Sequence, residues 1–251
     1  MSRVPFPPIE PPGSSALWAG YLSAGLEAAE SAPGDVGEVV GVGGRLDPAS
    51  LVTAYRLGIF PMGLGEGGSP PMGWWCPRWR GVLQPGTVHV SRSLRRSLPR
   101  FTVTVDEDFA GVVAACGDPQ RDGFWITDAI RVAYEELHAL GWAHSVEVRD
   151  DDGTLVGGLY GVAIGGLFAG ESMFHHVTDA SKVALVALDR LVSADGDPRR
   201  IVDVQWRTPH LGTLGIVEVH RHEYLARLAR ALQAPALDLG ALVEVRDLPF
   251  A

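Results

Sequence analysis

The chain has 251 residues, 46% hydrophobic and 20% charged, a composition that suits a folded globular protein and argues against disorder. Its formal net charge of −9 argues against a general nucleic-acid binder. No apolar run approaches the roughly 20 residues that a bilayer span needs. Neither a secretory apolar core, a disulfide framework nor a metal-site spacing of Cys76 and Cys116 is visible, so the expected setting is the cytoplasm, without a membrane.

Residues 1–15 are rich in proline and small side chains, which predicts a loose tail over about the first dozen. Residues 38–44 read as a short strand entering a glycine turn. Asp47 and Pro48 form an N-cap signal with proline at the first helical position. That helix carries Leu51, Val52, Ala54, Tyr55 and Leu57 and stops at Gly58. Glycine and proline dominate residues 61–73, which predicts a loop or hinge and a domain boundary near residue 78. The expected division is a small α/β unit over 1–78 and a larger unit over 79–251.

Six arginines (Arg78, Arg80, Arg92, Arg95, Arg96 and Arg100) follow within 23 residues that hold no Asp or Glu. Such a stretch can meet a phosphate backbone, and a solvated basic face explains it equally well. Ser91 caps a short helix to Leu98, and residues 101–105 are strand-like. Asp106 or Asp108 opens a helix through Cys116. Thr127 caps a longer one with Ile130, Ala133, Tyr134 and Leu137 on its apolar face, ending at Gly141. Residues 145–148 and 155–160 flank a hairpin turn at 150–153, and 162–168 read as a third strand. A helix over 180–192 with Asp179 as cap, a strand over 201–205 and a helix over 221–232 complete the chain. A β-meander between helices predicts an α/β (α+β) fold with an acyltransferase-like mixed sheet.

Two polar interruptions carry the chemistry. Alternation along 201–205 puts Ile201, Asp203 and Gln205 on one face, and an aspartate inside an apolar strand must be paired or hydrated. Glu171 sits between Gly170 and Ser172, with Phe168 and Phe174 to either side. Polar groups at strand ends beside aromatic walls make a small apolar pocket with a few oriented polar atoms. His175-His176 and His220/His222 complete no metal site, and Gly41-Val42-Gly43-Gly44 lacks the context of a nucleotide loop, so no metal or cofactor is expected.

An ordered set of motifs then resembles one family. They include Ala54-Tyr55-Arg56-Leu57-Gly58-Ile59-Phe60-Pro61, Trp74-Trp75-Cys76-Pro77, Val90-Ser91-Arg92-Ser93 and Trp125-Ile126-Thr127. Leu155-Val156-Gly157-Gly158-Leu159-Tyr160-Gly161-Val162, Gly170-Glu171-Ser172-Met173-Phe174, Ala180-Ser181-Lys182 and Asp203-Val204-Gln205 follow in the same order. Together they resemble the bacterial leucyl/phenylalanyl-tRNA–protein transferases.

The resemblance implies transfer of leucine or phenylalanine (with methionine a further donor) from aminoacyl-tRNA to proteins with N-terminal Arg or Lys, marking them for degradation. It implies a monomer with a GNAT-like catalytic domain behind a small α/β domain. It assigns Asp203, Gln205 and Glu171 to catalysis, and Trp125, Leu159 and Phe168 to the substrate pocket, with Phe174, Gly170 and Met62 as further substrate-binding candidates. With tRNA as the donor, the arginine run supplies the expected tRNA contact through Arg78, Arg80, Arg92, Arg95 and Arg96. Met62 stands where the family usually has tryptophan, Cys76 where it has serine, and Trp206-Arg207 after Gln205 is atypical. The rival readings are an acyl-CoA-dependent GNAT acyltransferase, a cell-wall peptidyltransferase that uses charged tRNA, and a non-catalytic tRNA- or peptide-binding module.

Overall fold

The computed structural model describes residues 16–31, 37–121 and 123–240, so the expected N-terminal tail lies outside the described residues. Helix α1 (Ala16–Ser31) precedes strand β1 (Val39–Val42), and α2 (Pro48–Arg56) follows. Asp47 caps α2 through a side-chain bond from the Ser50 N–H at 3.0 Å, and Gly58 leaves the helix at φ +76°. The segment expected to be a hinge is instead a hairpin of β2 (Phe60–Gly63) and β3 (Met72–Trp75). β3 lies between β1 and β2 in a three-stranded antiparallel sheet. The glycines there serve close packing: a Cβ on Gly63 would lie 1.9 Å from the Gly68 carbonyl oxygen.

The second sheet begins at β4 (Trp79–Leu83), continues with β5 (Thr102–Val105), β6 (Ala143–Arg149), β7 (Leu155–Ile164), β8 (Leu167–His175) and β9 (Ile201–Asp203), and ends with β10 (Val217–His220). Its seven strands run in the order β10-β4-β9-β8-β7-β6-β5. Among the described strands only β8 and β9 pair in parallel, and that pairing requires the crossover helix α6 (Ala180–Ser193). The fold is thus the mixed α/β layer expected. No helix of the described residues is long and apolar enough to cross a membrane.

Helices cover both faces. Helices α4 (Phe109–Cys116) and α5 (Asp128–Ala139) and the last helix (Arg221–Ala231) share one buried cluster with α2 and the small sheet. Helix α3 (Arg92–Ser97) and α6 share the other. Ser91, Asp108 and Thr127 each cap a helix through the side chain, as their types predict.

Three local expectations change. The strand expected at 162–168 is divided by the Gly165-Gly166 turn, so β7 runs to Ile164 and β8 starts at Leu167. Asp179 does not cap α6 through its side chain. It stands at φ +73° and binds Lys182 at 2.8 Å and the Ser97 hydroxyl at 2.8 Å. β9 stops at Asp203, because Gln205 turns into the left-handed region at φ +57°.

Candidate active site

β8 and β9 bring the two polar segments together. Ala169 pairs with Asp203, so Glu171 and Gln205 come level two residues farther along two parallel neighbours. The β7–β8 register then slips. Tyr160 faces Ser172 while Gly161 faces Gly170, which leaves Glu171 as the extra residue of a β-bulge. A bulge re-aims a side chain out of the regular alternation. Glu171 therefore projects from within a strand, where a strand end was expected. Its Oε1 accepts from Gln205 Nε2 at 3.3 Å, and its Oε2 accepts from the Tyr134 hydroxyl at 2.9 Å. Tyr134 is in turn hydrogen bonded to the hydroxyl of Tyr55 on α2.

Burial raises the Glu171 carboxyl to about 7, against the opposing pull of the Tyr55 and Tyr134 hydroxyls. Burial also pushes both tyrosines well above the ordinary phenol range, so they act as donors and stay protonated. Glu171 thus titrates near neutrality, close to the 7.7–8.0 or so of a free α-amino group.

Asp203 has a different situation. It is fully buried and receives Arg80 as a fork, Nε at 2.7 Å on Oδ1 and Nη2 at 2.6 Å on Oδ2. The Tyr224 hydroxyl donates to Oδ2 at 2.9 Å, and the Gln205 backbone N–H donates to Oδ1 at 2.9 Å. Four donors thus occupy this one carboxylate, and one of them is the Gln205 backbone, so Asp203 holds structure around Gln205.

Arg80 is accordingly a correction. It was expected on tRNA, yet only 1% of it is exposed. Its guanidinium lies 4.8 Å from the Phe60 ring and 4.5 Å from the Tyr224 ring, and Nη1 donates to the Gly58 carbonyl at 3.1 Å. Strand alternation turns this one arginine inward, toward the carboxylate that balances its charge there.

Beside Glu171 and Gln205 opens a cavity of about 250 Å³. Leu159, Leu185, Leu188, Val202, Val204 and Leu211 form its apolar walls, and Gly170, Thr208 and His210 border it. Leu159 and Gly170, two of the expected substrate-binding residues, line this cavity. The other expected wall residues are elsewhere. Phe168 and Phe174 are core side chains, 0% and 1% exposed, packed where glycines of β7 leave room. A Cβ on Gly161 would come within 2.6 Å of the Phe168 ring, and one on Gly158 within 3.2 Å of Phe174. Trp125 is half-buried at the margin of the first core cluster, its carbonyl against Gly68. Met62 is half-buried in β2, where its carbonyl accepts from Trp75 Nε1 at 2.9 Å. The atypical Trp206 packs edge-on against Phe60 and Trp75, at 5.0 and 5.8 Å between ring centres, and so ties the small sheet to the end of β9.

The remaining arginines divide. Arg92, Arg95 and Arg96 are exposed on α3. That helix is fastened to the start of α6 through Ser97, Asp179 and Lys182, and α6 supplies Leu185 and Leu188 to the cavity. Arg78 is half-buried, and it lines a separate cavity of about 230 Å³ with Glu30, His220, Arg221 and His222. Tyr55, Tyr134 and Tyr224 are the residues around Glu171 and Asp203 that the sequence did not single out, and Arg80 is the one it directed to tRNA instead. Tyr55 and Tyr134 lie on apolar helix stripes, where only a hydroxyl distinguishes them from core.

A family model described as leucyl/phenylalanyl-tRNA protein transferase matches residues 82–229, and the model of that transferase's N-terminal domain matches residues 44–78. A leucyl/phenylalanyl-tRNA–protein transferase of Dinoroseobacter shibae is 50% identical over 207 residues, which covers 82% of this chain and 88% of that one. Another, from Solidesulfovibrio magneticus, is 50% identical over 200 residues, 78% of each chain. Among solved structures, L-PGS from Bacillus licheniformis covers 65% of this chain and 54% of its own, with a TM-score of 0.36 and 12% identity, a likeness too slight to carry weight.

Proposed function

The chain belongs to the leucyl/phenylalanyl-tRNA protein transferase family and is an aminoacyltransferase acting from aminoacyl-tRNA onto protein, and on that premise we propose how its cavity and polar cluster divide the reaction. The apolar cavity takes the leucyl or phenylalanyl side chain of the donor. A cavity of roughly 150 Å³ already holds a benzene ring, so about 250 Å³ admits an aryl or isobutyl group. The acceptor is the amino terminus of a protein that begins with Arg or Lys, and the product is marked for degradation. The enzyme works as a cytoplasmic monomer, its smaller unit meeting the catalytic one near residue 78.

The donor is an ester and the product an amide, so the step runs downhill without ATP. Glu171 accepts a proton from the acceptor ammonium, for which a carboxyl at about 7 is well matched. Gln205 donates through Nε2 to Glu171, which turns its carbonyl oxygen toward the incoming amine and orients the nitrogen lone pair. The nitrogen attacks the ester carbonyl, the C–O bond breaks, the ribose oxygen leaves with the second proton given up by the attacking nitrogen, and Glu171 returns the first to solvent. Holding amine and ester together supplies up to roughly 7–11 kcal/mol of the barrier reduction. Arg92, Arg95 and Arg96 hold tRNA phosphates, which position the donor without reading its sequence.

The observation that carries this reading is the bulged Glu171 meeting Gln205 at 3.3 Å on the border of an apolar cavity. Radiolabelled leucyl- or phenylalanyl-tRNA mixed with peptides starting in Arg, Lys or Ala tests it. Label is expected on the first two peptides only. Label on none, or equally on all three, overturns the assignment.

A further inference from the structure

Resting on that reading, we propose that Arg80 and Tyr224 are positioning residues, which act through Asp203 to hold Gln205 in the backbone conformation that brings its side-chain amide to Glu171. Neither residue lines the cavity. Their reach to the chemistry is indirect, and each link of it is visible.

Gln205 stands at φ +57°, a region that side chains other than glycine seldom occupy. Such a conformation persists only where its surroundings over-determine it. Two hydrogen bonds do so here. The Gln205 carbonyl accepts from the Gly81 N–H at 2.9 Å, and the Gln205 N–H donates to Asp203 Oδ1 at 2.9 Å. The second bond depends on how the Asp203 carboxylate is turned. Arg80 fixes that plane by binding both oxygens, and Tyr224 adds a second donor on Oδ2.

Arg80 is itself held from three sides. The Gly58 carbonyl beyond α2 receives Nη1, while the rings of Phe60 and Tyr224 lie against the guanidinium. Gly58 can take this place only as glycine, because a Cβ there would lie 2.9 Å from the Tyr224 ring. The path from Gly58 through Arg80 and Asp203 to Gln205 therefore joins the segment before residue 78 to the reacting end of β9.

Tyr224→Phe removes one hydroxyl and keeps the ring. Arg80→Lys keeps the charge and loses the fork. For Tyr224→Phe we expect kcat of transfer to fall about tenfold, the scale of one hydrogen bond to a charged group. Arg80→Lys is expected to fall further, with KM for aminoacyl-tRNA within about twofold of wild type in both. Leu228→Ala, a core truncation on the same helix, controls for stability alone, and it should lower the thermal midpoint while leaving kcat intact. Amide hydrogen exchange gives a readout independent of activity. The Gln205 N–H should exchange faster in Tyr224→Phe, with α6 unchanged.

Full kcat with unchanged Gln205 exchange in Tyr224→Phe overturns the positioning role. So does a loss confined to KM, or a loss matched by Leu228→Ala. A wild-type protein that transfers nothing overturns the functional reading instead, and Gln205 exchange still decides this one.

Discussion

Arg80 on β4 and the Arg95–Arg96 pair on α3 belong to one arginine-rich stretch, and the fold gives them opposite tasks. β4 lies between β9 and β10, so its inward side chain enters a region that only a paired charge can occupy. α3 packs Leu94 inward and leaves its arginines on the exposed side. A run of like charge is therefore not a surface until the period of its backbone is known. A buried arginine organises the protein, while an exposed one can meet a partner.

The largest effect expected from this contrast is on stability. Arg80→Met should destabilise the fold by about 3–5 kcal/mol in urea titration, because it leaves the Asp203 carboxylate buried without its counter-charge. Arg95→Ala with Arg96→Ala should change stability by no more than about 0.5 kcal/mol each. Equal effects from the two would erase the distinction.

Glu171→Gln should slow transfer by about 10²–10⁴-fold, the usual contribution of a positioned proton acceptor. In wild type the rate should climb with pH through about 7, where the Glu171 carboxyl ionises, and the variant should lose that limb. Stability moves the other way. A carboxyl raised from the ordinary 4.5 to about 7 binds more protons folded than unfolded between those values. Its contribution is complete below about 4.5 and is lost as pH rises through 7, so this part of the pH dependence should vanish in Glu171→Gln.

The smallest effect separates the arginines by salt. Removing Arg95 and Arg96 should weaken tRNA binding and lower the slope of log affinity against log salt by about 1 for each phosphate that is no longer neutralised. An unchanged slope makes α3 a solvated face only.

Much of this was legible in short segments. Asp47, Ser91 and Thr127 cap helices because capping depends on two or three neighbouring residues. Asp203, Gln205 and Glu171 were legible as polar residues in apolar surroundings. Tertiary pairing hid the rest. β4 reads Trp-Arg-Gly-Val-Leu, and its arginine looks like surface until Asp203 arrives from 123 positions away. α1 is rich in alanine and small residues and lacks a marked apolar stripe, and β10 exposes Val217 and Glu218 on a sheet edge. The cavity walls Leu185 and Leu188 look like any core positions of α6. The rings of Phe168 and Phe174 suit that wall by type, yet they fill space beside glycines on β7.

The central claim is that the donor side chain enters the cavity between α6 and the Glu171–Gln205 pair. Leu188→Trp fills that cavity and leaves Glu171, Gln205 and the arginines of α3 in the chain unchanged. Single-turnover transfer from phenylalanyl-tRNA, measured alongside tRNA affinity, should show affinity within about twofold and transfer slowed by about 100-fold or more, as misplaced reacting groups produce. Transfer at the wild-type rate in a folded Leu188→Trp protein would contradict the account.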